Sequence, residues 1–105
     1  MDASKINNNK TNGQFEYRTD EHLAYLTYRM RKKTMFFMHT KVPDELAGQG
    51  VASGLALAAL NYAKDHKYLI AVMCPFVSGF VEKHPEWYEL YDGEYHERFR
   101  KPRRP

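Results

Sequence analysis

Apolar and polar residues alternate from Phe15 onward, and the period of two marks strands before any helix is visible. Phe15 and Tyr17 alternate with Glu16 and Arg18. After the polar turn Thr19-Asp20-Glu21-His22, Ala24, Leu26, Tyr28 and Met30 fall on one face, and Tyr25, Thr27 and Arg29 on the other. These are two antiparallel strands. Beyond Arg31-Lys32-Lys33-Thr34, the run Met35-Phe36-Phe37-Met38-His39-Thr40 has bulk on both faces, as a central strand does, and ends at Val42-Pro43.

The period then changes. Val51, Leu55, Ala58, Ala59 and Tyr62 recur at helical spacing in an Ala- and Leu-rich stretch that stops near Asp65-His66-Lys67. Leu69-Ile70-Ala71-Val72-Met73 is apolar on both faces and reads as a covered strand, so strand, helix and strand form a βαβ crossover. Pro75 suits a helix start, and Phe76 to Lys83 fits a short helix ending before Pro85. The aromatic stretch Glu86-Trp87-Tyr88-Glu89-Leu90-Tyr91 is expected to pack back onto the sheet. The fold class is α+β (α/β): a mixed, mostly antiparallel sheet with one βαβ crossover and two main helices.

Composition fits one soluble domain. Of 105 residues, 43% are hydrophobic and 28% charged, enough for a single core and little more. Residues 1–12, rich in Asn and Lys, read as a flexible arm; residues 13–92 form the domain; residues 93–105 are a basic tail. The net charge of +3 resides at the end of that tail, where Arg98, Arg100, Lys101, Arg103 and Arg104 lie in the last eight residues, which carry no acid. Without these five, 11 basic residues face 13 acidic ones, so no field across the domain favours nucleic acid. No run approaches the ~20 apolar residues of a membrane span. No signal-like segment opens the chain, and Cys74 has no second cysteine to pair with. The expected location is cytoplasmic, with no membrane partner.

Chemistry concentrates at Gly48-Gln49-Gly50, between the central strand and the long helix. Two glycines before a helix N-terminus let backbone N–H groups approach an anion such as a pyrophosphate. A P-loop is excluded because Val51-Ala52 follows Gly50 in place of Lys-Ser or Lys-Thr. A Rossmann unit is excluded because three antiparallel strands precede the loop and one crossover follows it. Neither the histidines nor the carboxylates show zinc-ligand spacing, so no metal is expected.

The segment Ala47-Gly48-Gln49-Gly50-Val51-Ala52 resembles the acetyl-CoA signature of the GNAT superfamily of N-acetyltransferases, in which Gln or Arg, two residues, Gly, one residue and Gly or Ala precede the long helix. Gly50 and Ala52 match; Ala47 replaces the usual Gln or Arg. With His39-Thr40-Lys41-Val42 before the loop and Cys74-Pro75-Phe76 after the crossover, the chain is similar to a small single-domain subfamily, from about Phe15 to Tyr91. The resemblance implies a reduced GNAT fold with acetyl-CoA as co-substrate, its pantetheine arm paired to the backbone of Thr40, Lys41 and Val42. It also implies a pyrophosphate held by Gly48, Gln49, Gly50, Val51, Ala52 and Ser53. His39 and Cys74 are placed near the acetyl group.

Each of those two residues has two readings. By alternation His39 shares a face with Met35 and Phe37, as a half-buried histidine would, or it serves as a general base. Cys74 is a small buried hydrophobe, or a thiolate activated at a helix N-terminus and able to carry an acetyl group. Phe80 and Val81 stand where the family often has an acidic tyrosine, and the strand pattern stops before the family's last two strands. Three functions therefore compete: transfer of acetyl to an unidentified amine; an acyl-CoA-binding module without efficient transfer; and an interaction domain using Trp87, Tyr88 and Tyr91.

Overall fold

Five strands form one sheet in sequential order in the computed structural model, which describes residues 2–97. They are β1 (Ile6–Asn9), β2 (Gln14–Arg18), β3 (Leu23–Arg31), β4 (Thr34–Lys41) and β5 (Leu69–Val72). The first four are antiparallel neighbours, and β5 runs parallel to β4. A parallel pair requires a crossover, which α1 (Val51–Asp65) supplies.

One face of the sheet carries the core. Phe15, Tyr17, Ala24, Leu26, Met35, Phe37, Ile70 and Val72 are buried against Leu55, Ala56, Ala59, Leu60 and Ala63 of α1. The alanines keep the helix surface low enough to pack closely on large strand residues. Val77 and Val81 of α2 (Pro75–Lys83) enter the same cluster. The expected mixed sheet, crossover and two main helices are all present. Among the described residues, no helix is long and apolar enough to cross a membrane.

Two segments differ from the reading by hydropathy. The expected free arm contains β1, whose Ile6 and Asn8 pair with Tyr17 and Phe15. Its asparagines are held by polar contacts that an apolar count does not register: Tyr28 Oη donates to Asn8 Oδ1 at 2.7 Å, and Asn9 Nδ2 donates to Glu16 Oε2 at 3.1 Å. The amide of Gln14 also donates to buried Glu16, and these hydrogen bonds hold its carboxyl below the usual range.

The second difference is at the other end. Of residues 93–97, expected as the start of a tail, Tyr95 and His96 pack on the sheet; the five clustered cations lie outside the described residues. Beyond the short turn Pro85–Leu90, Tyr91 bridges to Ile70, and Asp92 N–H donates to the Ile70 carbonyl at 2.8 Å. Thr34 Oγ1 donates to the buried Asp92 carboxylate, and Val72 N–H donates to His96 Nε2 at 2.9 Å. Tyr95 sets its edge against Phe36 at 4.7 Å, on the sheet face away from the helices. The Tyr91–His96 segment therefore covers the outer edge of β5, where unpaired groups would otherwise remain.

This lock requires a neutral imidazole. Burial lowers the His96 pKa, opposed by the charge of Asp92. With the folded pKa below the unfolded one, the stabilisation is complete above pH 6.5 and is lost as pH falls through the folded pKa. Tm should therefore drop between pH 7.5 and 5.5. In His96→Gln, which keeps an acceptor but gains no proton, thermal melts should show a smaller drop; an unchanged pH dependence would assign the loss to other groups.

Candidate functional site

The glycine loop is shaped by its backbone. A 3-10 turn, Asp44–Leu46, buries Leu46 and fixes the loop's entry. Gly48 and Gly50 then adopt φ of 77° and 76°, a region that costs other residues roughly 1–2 kcal/mol. A Cβ on either would meet nothing within 4 Å, so the space beside them is open. Gly50 is the N-cap of α1 and no side chain caps the helix. The N–H groups of Val51, Ala52 and Ser53 therefore face outward without intrahelical acceptors, at the positive end of the helix dipole. This is a cradle for an anion, and its donors suit a pyrophosphate.

A recess of about 190 Å³ lies here, lined by Val42, Leu46, Gly48, Gly50, Ser53 and Phe76 among others. A second recess, about 450 Å³, shares Ser53 and Phe76 and continues along α2 past Gly79 and Phe80 to Lys83 and His84. Together they make a groove from the α1 N-terminus across one flank of α2. Gln49 does not reach into it with its side chain, because Nε2 donates back to the Glu45 carbonyl at 3.4 Å. Ala47 lines the smaller recess without a donor of its own.

At the other end of the site two strands part. The β4–β5 ladder stops at the pair Phe37↔Val72. Phe37 carbonyl then accepts from both Met73 N–H (2.9 Å) and Cys74 N–H (3.0 Å). Past that point Met38, His39, Thr40 and Lys41 have no β5 partner, which leaves one edge of the β4 backbone open to an extended group.

The same stretch contains a bulge. Tyr28 pairs with Phe37 but Thr27 pairs with His39, so one step on β3 spans two on β4, and Met38 is the extra residue. The bulge reverses the alternation. His39, expected beside Met35 and Phe37, lies instead on the face away from the helices and is exposed. Its backbone is fixed by Thr27 Oγ1, which accepts from His39 N–H at 3.1 Å. Thr40, paired with core residue Leu26, turns to the helix side.

There Thr40 Oγ1 lies 3.2 Å from Cys74 Sγ. Cys74 is the N-cap of α2 and is 3% exposed. The structure thus brings together Thr40, Val42, Gly48, Gly50, Val51, Ala52, Ser53 and Cys74 along one side. It puts His39 and Lys41 on the opposite face of β4. The Thr40 hydroxyl as partner of the thiol was missed by sequence reasoning, and no residue signals it, because the bulge carries no glycine or proline. Among the described residues no three His, Cys, Asp or Glu side chains converge to hold a metal ion.

Comparison with known proteins gives the same frame. A family model described as GCN5-related N-acetyl-transferase matches residues 14–90. Protein NATD1 from Xenopus tropicalis is 30% identical over 91 residues, covering 81% of this chain and 84% of that protein. Protein NATD1 from Danio rerio is 29% identical over 90 residues, covering 81% and 82%. A solution structure from Staphylococcus aureus, described as GCN5-like and as a candidate N-acetyltransferase, superposes with a TM-score of 0.67 at 30% identity, covering 88% of this chain and 91% of that one. With three quarters of the chain matched by the model, the open-ended β4–β5 pair and the glycine-capped α1 are those of a member of the GCN5-related N-acetyltransferase family.

Proposed function

We propose that this protein transfers an acetyl group from acetyl-CoA to an amine, with Cys74 as the acyl carrier. The observation that carries the reading is that the anion cradle at α1, the open edge of β4 and the Cys74 thiol lie on one side of the sheet. The N–H groups of Val51, Ala52 and Ser53 would hold the pyrophosphate, Lys83 and Phe80 the far end of the nucleotide, and the backbone of Thr40 to Val42 the pantetheine arm. At the end of that arm the thioester meets Cys74.

Two balanced steps follow. The Cys74 sulfur forms a bond to the acetyl carbon, the carbon–sulfur bond to CoA breaks, and the thiol proton ends on the departing CoA sulfur. The Thr40 hydroxyl, 3.2 Å from the sulfur, keeps it in place in this step. An amine nitrogen then bonds to the acetyl carbon, the bond to Cys74 breaks, and one nitrogen proton returns to the thiol. His39, across the strand, is the base for a competing direct route in which the amine arrives on the open face.

A second reading has its own support. Cys74 is nearly enclosed, and Phe80 supplies no acid, so a module that binds acyl-CoA without turning over fits the same groove.

Two measurements test these readings. Gly50→Val puts a β-branched side chain at φ 76° inside the cradle, and calorimetry should show acetyl-CoA affinity reduced at least about tenfold; unchanged affinity would remove the loop from the site. Intact mass after mixing with acetyl-CoA should show a gain of about 42 Da, absent in Cys74→Ala and discharged by amines. Turnover should be lost in Cys74→Ala and largely kept in His39→Ala. The reverse pattern would establish the direct route, and tight binding without transfer to any amine would establish the module.

A further inference from the structure

α2 separates two concavities, and only one belongs to the groove for CoA. Gly79, Phe80 and Lys83 face that groove, Ser78 faces the C-terminal segment, and Glu82, one helical turn from Ser78, borders both. Between them and that segment lies a recess of about 420 Å³ with Val72 at its inner end. Its size is that of a small-molecule site.

The lining has one chemical character. Tyr88, Tyr91 and Tyr95 provide aromatic walls, Glu82 and Glu97 provide carboxylates, and no lysine or arginine of the described residues lines it. The rings brace one another. Tyr88 meets Tyr91 edge-on at 5.1 Å, Tyr91 lies 4.2 Å from the His96 ring, and Tyr95 is held against Phe36. His96 is committed as an acceptor from Val72 N–H, so it adds no positive charge at neutral pH. Tyrosine faces and carboxylates around a concave space attract an organic ammonium group.

Position connects the recess to Cys74. Val72 is the last β5 residue paired with β4, and Ser78 N–H donates to the Cys74 carbonyl at 3.0 Å. The recess is therefore bounded by the two residues that lead into and out of the thiol's turn. The geometry points to this recess as the holding site for the acceptor, and to a diamine as the acceptor's class: one ammonium stays among the tyrosines and Glu82 and Glu97 while the other nitrogen, unprotonated, reaches the acetyl carbon. This inference rests on the transferase reading.

The test begins without acetyl-CoA. NMR titration of the whole protein with 1,5-diaminopentane should shift the amides of Ser78, Glu82, Tyr95 and His96. Pentylamine should bind at least about threefold more weakly, and 1,5-pentanediol should leave these amides unmoved. The variant Glu97→Gln, which preserves shape and lies outside the groove, should weaken the diamine at least about threefold while leaving acetyl-CoA affinity unchanged. Equal response to the diol, or equal affinity in Glu97→Gln, overturns the site. With acetyl-CoA added, a protein that acetylates other amines but ignores the diamine overturns this inference alone. A protein that binds the diamine but no acetyl-CoA keeps the cation site and overturns the transferase reading.

Discussion

A single carbonyl decides where this sheet opens. The Phe37 oxygen accepts the N–H groups of both Met73 and Cys74, so β5 turns at the point where the parallel ladder would need its next rung. The turn starts α2 at Pro75, sets Cys74 at that helix's N-terminus, and leaves the following β4 residues with an unused edge. The glycine loop after β4 supplies the complementary feature, because α1 starts with N–H groups that no side chain of the described residues caps. Both openings consist of backbone, and backbone geometry is what a family can share while its side chains diverge.

Most elements were legible because each has one dominant period. The strand around Leu26, the helix from Val51 and the run Ile70 to Val72 bury the faces their patterns indicate, while Leu69 and Met73 at the ends of that run are exposed. The site was legible through residue types that solve steric problems: glycines where φ is positive and proline at the start of α2. Alternation failed at Met38, where one extra residue exchanged the faces of His39 and Thr40. Nothing in the side chains there announces a bulge, since its cause is the pairing of β3 with β4 and the parting of β5.

The ends were misread for a different reason. Hydropathy registers apolar burial, whereas β1 is held by an asparagine–tyrosine contact and the C-terminal segment by a carboxylate, an imidazole acceptor and aromatic edges. Such polar attachments are specific in space and diffuse in sequence. They also explain why the division of labour along α2 was not visible: Ser78 and Gly79 are adjacent in the chain yet line different recesses, and only the packed C-terminal segment creates the second one.

The treatment of the sheet margins bears on behaviour at high concentration. A bare strand margin invites another copy to add on and propagate. Here one margin is the four-residue β1 bearing three asparagines, a short template with little apolar reward for a newcomer, and the other is overlaid by Tyr91 to His96. The fold can therefore keep an unzipped strand pair in its interior, with hydrogen-bonding capacity to spare, without presenting that capacity where neighbouring molecules would polymerise on it.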